Sequence, residues 1–277
     1  MKENQGNFIG KGGIELFFQS WQPEEKPDKV IVIVHGMDEN CSHYHHLVDY
    51  FVARRIGVYG YDLRGYGRSG GQEGHIDHFS DYREDLGLFL DQVHLMANHE
   101  HVYLFCHSLG ALIGLDYLEH HSKYIHGAVI SGAPLEPVGV GSPFTIFMAK
   151  IMSGIFPRFS MDLGVDYEVG TRDEIERQAM KDDPLYRSRV TARWGTECMR
   201  TVKEVKANVK KIRTPLLLVH GEADKVNHPN GSKGFFDSLV CPDKAIKTYP
   251  GAYHNIHADL DWELEMKDVE EWMIKHP

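Results

Sequence analysis

The sequence predicts an α/β protein: a mostly parallel central sheet flanked by helices, with a helical insertion after the sixth strand. Three observations predict it. The first is a set of short apolar runs bounded by turn residues, Val30-Ile31-Val32-Ile33-Val34, Val102-Tyr103-Leu104-Phe105 and Leu216-Leu217-Leu218-Val219. They lack polar alternation, which suits strands buried on both faces. Val58-Tyr59-Gly60-Tyr61 and Ala128-Val129-Ile130 are shorter members of the set. The second is helical periodicity between the runs, as in Tyr82, Leu86, Phe89, Leu90 and Val93. Strands alternating with helices imply βαβ units and a sheet covered on both sides. The third is a change of rhythm over residues 135–205.

At the N-terminal end, residues 11–22, with Ile14-Glu15-Leu16-Phe17-Phe18, predict an antiparallel edge hairpin. In the insertion, Phe144, Phe147, Met148, Ile151, Met152 and Ile155 fall on one helical face. Pro157 then breaks the helix, a polar loop-rich stretch follows, and a further helix runs from Ser188 through Trp194 to Val205. The chain divides into a core over 1–134, a cap over 135–205 and the rest of the core over 206–277. The ordinary role of the apolar face is to pack on the body. Its functional role would be an acyl tunnel, with Phe144, Phe147, Met148 and Ile151 touching substrate, or a lid that meets a membrane.

Composition bounds the rest. The 277 residues are 42% hydrophobic and 25% charged, the profile of a globular chain large enough for one domain with an insertion. The net charge of −10 and the lack of a basic run argue against nucleic-acid binding, which needs many phosphate-neutralising cations. Met1-Lys2-Glu3-Asn4-Gln5-Gly6 has no apolar core behind a basic start, and no stretch has the length of a spanning helix. Cys41, Cys106, Cys198 and Cys241 are scattered. A cytoplasmic protein with reduced thiols is therefore expected, with at most peripheral membrane contact through the cap. His43, His45 and His46 fit no standard zinc spacing, and no neighbouring cysteine or carboxylate completes one. They read as a solvated loop and helix start, and no metal or cofactor is expected. The oligomeric state is left open.

Four segments carry chemistry. Cys106-His107-Ser108-Leu109-Gly110 follows a predicted strand and precedes a helix start, the context of a nucleophile elbow. There a sharp turn projects the serine hydroxyl, and the Leu109 amide opens the helix, where it can donate to an oxyanion. Val34-His35-Gly36-Met37-Asp38 also follows a strand, and Gly36 lets the Met37 amide turn towards the serine as a second donor. The segment 219–226 contributes Asp224 just past another strand, and Gly251-Ala252-Tyr253-His254 lies near the C-terminal end. A serine hydroxyl needs a base, and the base needs a carboxylate to hold its tautomer. The order Ser108, Asp224, His254 suits that relay. His257 and Asp237 are weaker rivals, the latter because it lies in a helical pattern.

With these residues in view, the sequence resembles the monoacylglycerol lipase and lysophospholipase branch of the α/β-hydrolases. The likeness runs through Asp62-Leu63-Arg64-Gly65-Tyr66-Gly67-Arg68-Ser69-Gly70-Gly71, Phe79-Ser80-Asp81-Tyr82, Asp183-Pro184-Leu185, Arg193-Trp194 and Gly251-Ala252-Tyr253-His254. The resemblance implies an α/β-hydrolase fold and a small-molecule acyl ester substrate held under a cap. It also implies Ser108 as nucleophile, His254 as base, Asp224 as orienting acid, Met37 and Leu109 as oxyanion donors, and Gly36 and Gly110 as the loop and elbow glycines. Cys106 stands where the family usually has glycine, and Asn40 where many members carry histidine. The rival readings are a short-chain carboxylesterase, thioesterase or peptidase with the same triad, and a non-catalytic ligand-binding member of the fold.

Overall fold

Strand β3 (Lys29–Val34) shows how the sheet is held: Val30, Val32 and Val34 enter one apolar cluster, Ile31 and Ile33 the other. Strand β5 (Val102–His107) divides in the same way, with Leu104 and Cys106 on one side and Tyr103 and Phe105 on the other. A strand that feeds two cores has no polar face, hence the continuous apolar runs. The computed structural model describes residues 1–276 apart from 98, 100, 122–124, 140–142 and 163–165, and apart from the side chains of 143–146.

The remaining elements, in chain order, are β1 (Lys2–Ile9), β2 (Glu15–Gln22), α1 (His45–Val52), β4 (Ile56–Tyr61), α2 (Ser80–Ala97), α3 (Leu109–His120) and β6 (Ile125–Ser131). They continue with α4 (Pro143–Ile155), β7 (Ser160–Asp162), α5 (Glu174–Asp182), β8 (Arg189–Thr191), α6 (Ala192–Asn208), β9 (Leu216–Gly221), α7 (Pro229–Ser238), β10 (Lys244–Tyr249) and α8 (Trp262–Lys275). The main sheet has the order β1-β2-β4-β3-β5-β6-β9-β10 and is parallel from β4 to β10. Helices α2 and α3 supply one apolar layer, through Leu86, Phe89, Leu112 and Leu115. Helices α1 and α8 supply the other, through Leu47, Phe51, Met266 and Trp272. No described helix is long and apolar enough to cross a membrane.

Four expectations are corrected. The edge hairpin is not confined to 11–22: β1 pairs antiparallel with β2 from Lys2 opposite Gln22 to Ile9 opposite Glu15. Strand β1 is polar and almost wholly exposed, so it left no apolar signature. The helix expected from Ser188 begins at Ala192, because Arg189–Thr191 pairs with Ser160–Asp162 and Thr191 caps α6 by accepting from the Trp194 N–H. The stretch expected as loop contains α5, which buries only Met180 and so shows little apolar period. Its start is nonetheless encoded, since the Asp173 carboxylate accepts from the Ile175 and Glu176 N–H groups.

The fourth correction concerns α4. Its apolar stripe does not pack on the body: Phe147 is 58% exposed and Ile155 64%, and Met148 and Ile151 also face solvent. The helix instead turns Ala149, Met152 and Ser153 inward, and Ser153 Oγ lies 2.9 Å from Thr196 Oγ1 of α6. The side chain of Phe144 lies outside the described residues.

Beneath the sheet's carboxyl edge, Glu265 of α8 is fully buried, and Ser131 Oγ donates to it at 3.1 Å. Burial pushes this carboxyl up to about 8. An acid whose folded value lies above its unfolded value costs stability as pH rises from the unfolded value towards about 8. Glu265→Gln, neutral at every pH, is expected to raise Tm by roughly 2–4 °C or more at pH 8 and hardly at all near pH 4. Thermal unfolding followed across pH checks this, and an unchanged Tm at pH 8 would contradict it.

Candidate active site

Strand β5 runs directly into α3, and Ser108 is the residue at the junction. It adopts φ 51° and ψ −114°, in positive-φ territory that a side chain rarely occupies. The strain is sustained by what surrounds the turn. The Ser108 N–H donates to Ser131 O of β6 at 2.9 Å. Gly110 passes so close to β3 that a Cβ there would lie 1.9 Å from Val34 O. Cys106, in place of the usual elbow glycine, is accommodated one turn on, where a Cβ on Gly114 would meet Cys106 Sγ at 2.6 Å. The thiol is fully buried, and burial pushes it far above its ordinary value. It is an inert filler.

Asp224 follows β9 and His254 follows β10, so all three chemical side chains hang from carboxyl ends of parallel strands. His254 Nε2 lies 2.9 Å from Ser108 Oγ, and Nδ1 lies 2.7 Å from Asp224 Oδ2. Asp224 Oδ1 accepts from the Val226 and Asn227 N–H groups at 2.8 and 2.9 Å. His220 Nε2 stands 3.0 Å from Oδ2, its ring held by Ser232 at Nδ1. Burial opposes the charge, but His254, His220 and the backbone donors outweigh it and hold the Asp224 carboxyl well below the usual range. Gly132, at φ 57°, leaves room for the base, since a Cβ there would lie 3.1 Å from His254 Cε1. His257 and Asp237 do not share this geometry. His257 has no hydrogen bond at either ring nitrogen, and Asp237 is exposed on α7.

The loop after β3 is tied down by a residue the sequence reading passed over. Buried Glu39 accepts from the Gly36 N–H at 2.8 Å and from Tyr44 Oη at 2.7 Å. Burial would raise Glu39, yet His107, His257 and the Tyr44 hydroxyl hold it down to about 2. His35 pins the same loop from below, accepting the Leu63 N–H at Nε2 and facing Gly36 O at Nδ1. Gly36 abuts the nucleophile turn, where a Cβ would come within 3.2 Å of Ser108 Cβ. Among the described residues, no backbone hydrogen bond uses the Met37 or Leu109 N–H. Asp38, in the same loop, is also at positive φ, 67°, and is buried with Oδ1 unpartnered. Burial and then Glu39 push its carboxyl up to about 8.

A cavity of about 150 Å³ opens over Ser108, lined by Gly36, Met37, Asp38, His254 and Asn255 and by Tyr167, Met180 and Tyr186 of the insertion. Phe147, Met148 and Ile151, expected as substrate contacts, do not line it, because α4 turns that face to solvent. The insertion residues that do line it come from the α5 region and the turns around it, where the sequence offered no apolar period. For Glu39 a signal existed: an acidic residue three places beyond the glycine of a strand-end loop.

A family model described as serine aminopeptidase, S33, matches residues 25–261. The monoacylglycerol lipase of Mycolicibacterium smegmatis is 29% identical over 99% of this chain and 98% of its own. The monoglyceride lipase of Mus musculus is 27% identical over 92% of this chain and 84% of its own. The crystal structure of Paleococcus ferrophilus monoacylglycerol lipase superposes with a TM-score of 0.84 at 27% identity, covering 100% of both chains.

The elbow packing yields a coupling that can be measured. Gly114→Ala is expected to destabilise the protein by about 1–3 kcal/mol through overpacking against Cys106. Pairing it with Cys106→Gly should recover a large part of that loss. A double-mutant cycle in urea reads the coupling, and additive effects would show that the two positions do not compete for space.

Proposed function

The chain belongs to the serine aminopeptidase, S33, family and is a serine ester hydrolase of monoacylglycerol lipase-like kind, and we propose that Ser108, His254 and Asp224 are its catalytic triad. The observation that carries the proposal is the unbroken chain of contacts, 2.9 Å from hydroxyl to imidazole and 2.7 Å from imidazole to carboxylate. With Nδ1–H donating to Asp224, the Nε2 lone pair takes the Ser108 proton as Oγ attacks the ester carbonyl. The Met37 and Leu109 amides stabilise the resulting oxyanion, a role supported by the lack of a backbone hydrogen bond at either N–H. His254 then protonates the departing alkoxide, and the alcohol leaves. A water repeats the cycle on the acyl-enzyme, releasing the carboxylic acid and restoring the serine. Asp224, kept ionised by its neighbours, stabilises the imidazolium formed in each half-reaction.

The substrate we propose is a small-molecule lipid ester, a monoacylglycerol or lysophospholipid, after the relatives that match almost the whole chain. Residues 135–205 act as the cap over the site, and 1–134 with 206–277 form the catalytic core. The outward stripe of α4, continued by Phe156 and Phe159 at 59% and 53% exposure, is the surface through which the cap would touch a membrane. One observation favours a second reading. A cavity of about 150 Å³ is smaller than the roughly 300–1,000 Å³ of most small-molecule sites. That suits a short-chain carboxylesterase, or a long-chain enzyme whose cap must open.

Ser108→Ala is expected to abolish labelling by a fluorophosphonate probe and to lower ester turnover by a factor on the order of 10⁴–10⁶. Run on a panel of monoacylglycerols and p-nitrophenyl esters, the same pair of proteins separates the two readings. Retained labelling would remove Ser108 from its role, and a preference for acetyl or butyryl esters would decide for the second reading. Phe147→Ser with Ile155→Ser should reduce co-sedimentation with anionic phospholipid vesicles while leaving hydrolysis of a soluble ester intact. Equal binding would rule out the stripe as the contact.

A further inference from the structure

We propose that His45, His46 and Glu176 form a binding site for a divalent transition metal that clamps α5 of the insertion to α1 of the core. Glu176 is remote in sequence from the other two: the adjacent imidazoles of His45 and His46 open α1, and the carboxylate comes from the first turn of α5. Their ligand atoms nevertheless lie within 4.8 Å of one another. Glu176 Oε1 is 3.3 Å from His45 Nε2 and 3.2 Å from His46 Nε2. Nitrogen and oxygen ligands about 2.0–2.1 Å from a tetrahedral Zn²⁺ are separated by edges of roughly 3.3 Å. Two of the three edges of that face are therefore already set.

The surroundings suit a cation of this class. Imidazole with carboxylate is a donor set for zinc, nickel or copper rather than calcium or magnesium. The His46 ring is held by stacking on Trp262, with centroids 4.4 Å apart and planes 9° from parallel. Among the described residues, Glu176 has no lysine or arginine partner. The contrast is Asp116, Glu119 and His120, where Arg83 already stands 2.9 Å from both Asp116 oxygens and fills the place of a cation. His45 is about half exposed, so the fourth position opens to solvent and leaves an entry path.

The site sits on a seam that matters for access to Ser108. Met180, one turn along α5 from Glu176, lines the cavity. Just past the end of α5, Asp183 is held by His43 Nε2 at 2.6 Å and Asn40 Nδ2 at 3.1 Å. A bound ion would add a third tie across the same seam. None of the three ligands belongs to the proposed triad or its oxyanion loop.

The test is calorimetric titration of ZnCl₂ into the full chain after chelator treatment, comparing wild type with Glu176→Gln and His45→Ala. Wild type is expected to bind one Zn²⁺, with a Tm that rises on saturation, and each variant to weaken that binding at least tenfold. His45 is partly exposed, so its removal keeps the comparison available if Glu176→Gln does not fold. Co²⁺ in place of Zn²⁺ should give the visible absorption of a four-coordinate ion, lost in both variants. Absence of stoichiometric binding would overturn the proposal, as would binding of equal strength in both variants, which would locate the zinc at other histidines.

Discussion

The constraint on which the structure turns is the close approach of α3 to the carboxyl edge of the sheet. The helix starts immediately after β5, and Gly110 lies against the carbonyl of Val34 with no space for a side chain. That contact forces the reversal at Ser108 into positive φ, and only a junction packed on three sides can sustain such a conformation. The Ser131 carbonyl, the Cys106 side chain and Gly114 complete the packing. Rigid positioning of the hydroxyl is thus a by-product of how tightly one helix is seated. The same parallel sheet then delivers Asp224 and His254 to the same edge, because each follows the carboxyl end of its own strand.

Around that edge the protein sorts buried acids into two kinds. Asp224 and Glu39 are buried yet held ionised, each surrounded by imidazoles and by N–H or O–H donors. Asp38 and Glu265 are buried with few partners and are pushed towards neutrality. Burial is common to all four, so partners, not depth, decide the charge state. The ionised pair holds separate parts: Asp224 holds the His254 ring, proposed above as the base, and Glu39 holds the loop that carries Met37. Tyr44 shows how economical the arrangement is. Its hydroxyl donates to Glu39 while its ring stacks on His257 at 4.3 Å, so one side chain braces both the loop and the C-terminal turn.

The parallel sheet could be read from the sequence because burial on both faces writes an apolar run, as in Val30 to Val34. Of the proposed triad, Ser108 and Asp224 could be read because each lies just beyond such a run, whereas His254 follows the half-exposed edge strand β10 and was legible only in its Gly-Ala-Tyr-His setting. Strand β1 could not, since an exposed edge strand buries almost nothing and Lys2 to Asn7 carry no apolar pattern. Helix α5 was silent for the same reason, and its Asp173 cap was the only trace. In α4 the periodicity identified the helix but not the face it buries. A stripe marks a helix equally well whether it meets the core or solvent, and here Ser153, not Phe147, points inward. Glu39 and Glu176 were both missed, Glu39 although Gly36 three residues earlier was a local signal, and Glu176 because its partners are assembled only by the fold.

That last pair locates the boundary of sequence reasoning in physical terms. A motif is legible when its members act on one another through the local backbone, as Gly36 and Glu39 do across a single turn. His45 and His46 read as a solvated helix start because their partner approaches from α5, on the far side of the nucleophile in the chain. The loop preceding α1 is tied to the same segment through His43, Asn40 and Asp183. Elsewhere the insertion is fastened by Arg172 on Asp259 and by α6, whose Trp194, Val202 and Val205 pack on the main apolar cluster, while the described stripe of α4 faces away. The α6 interface is apolar and holds its part of the insertion at every pH and metal concentration. The polar seam at α5 holds only while its partners stay charged and close, which sets the α5 side of the insertion apart from the α6 side in its response to solution conditions.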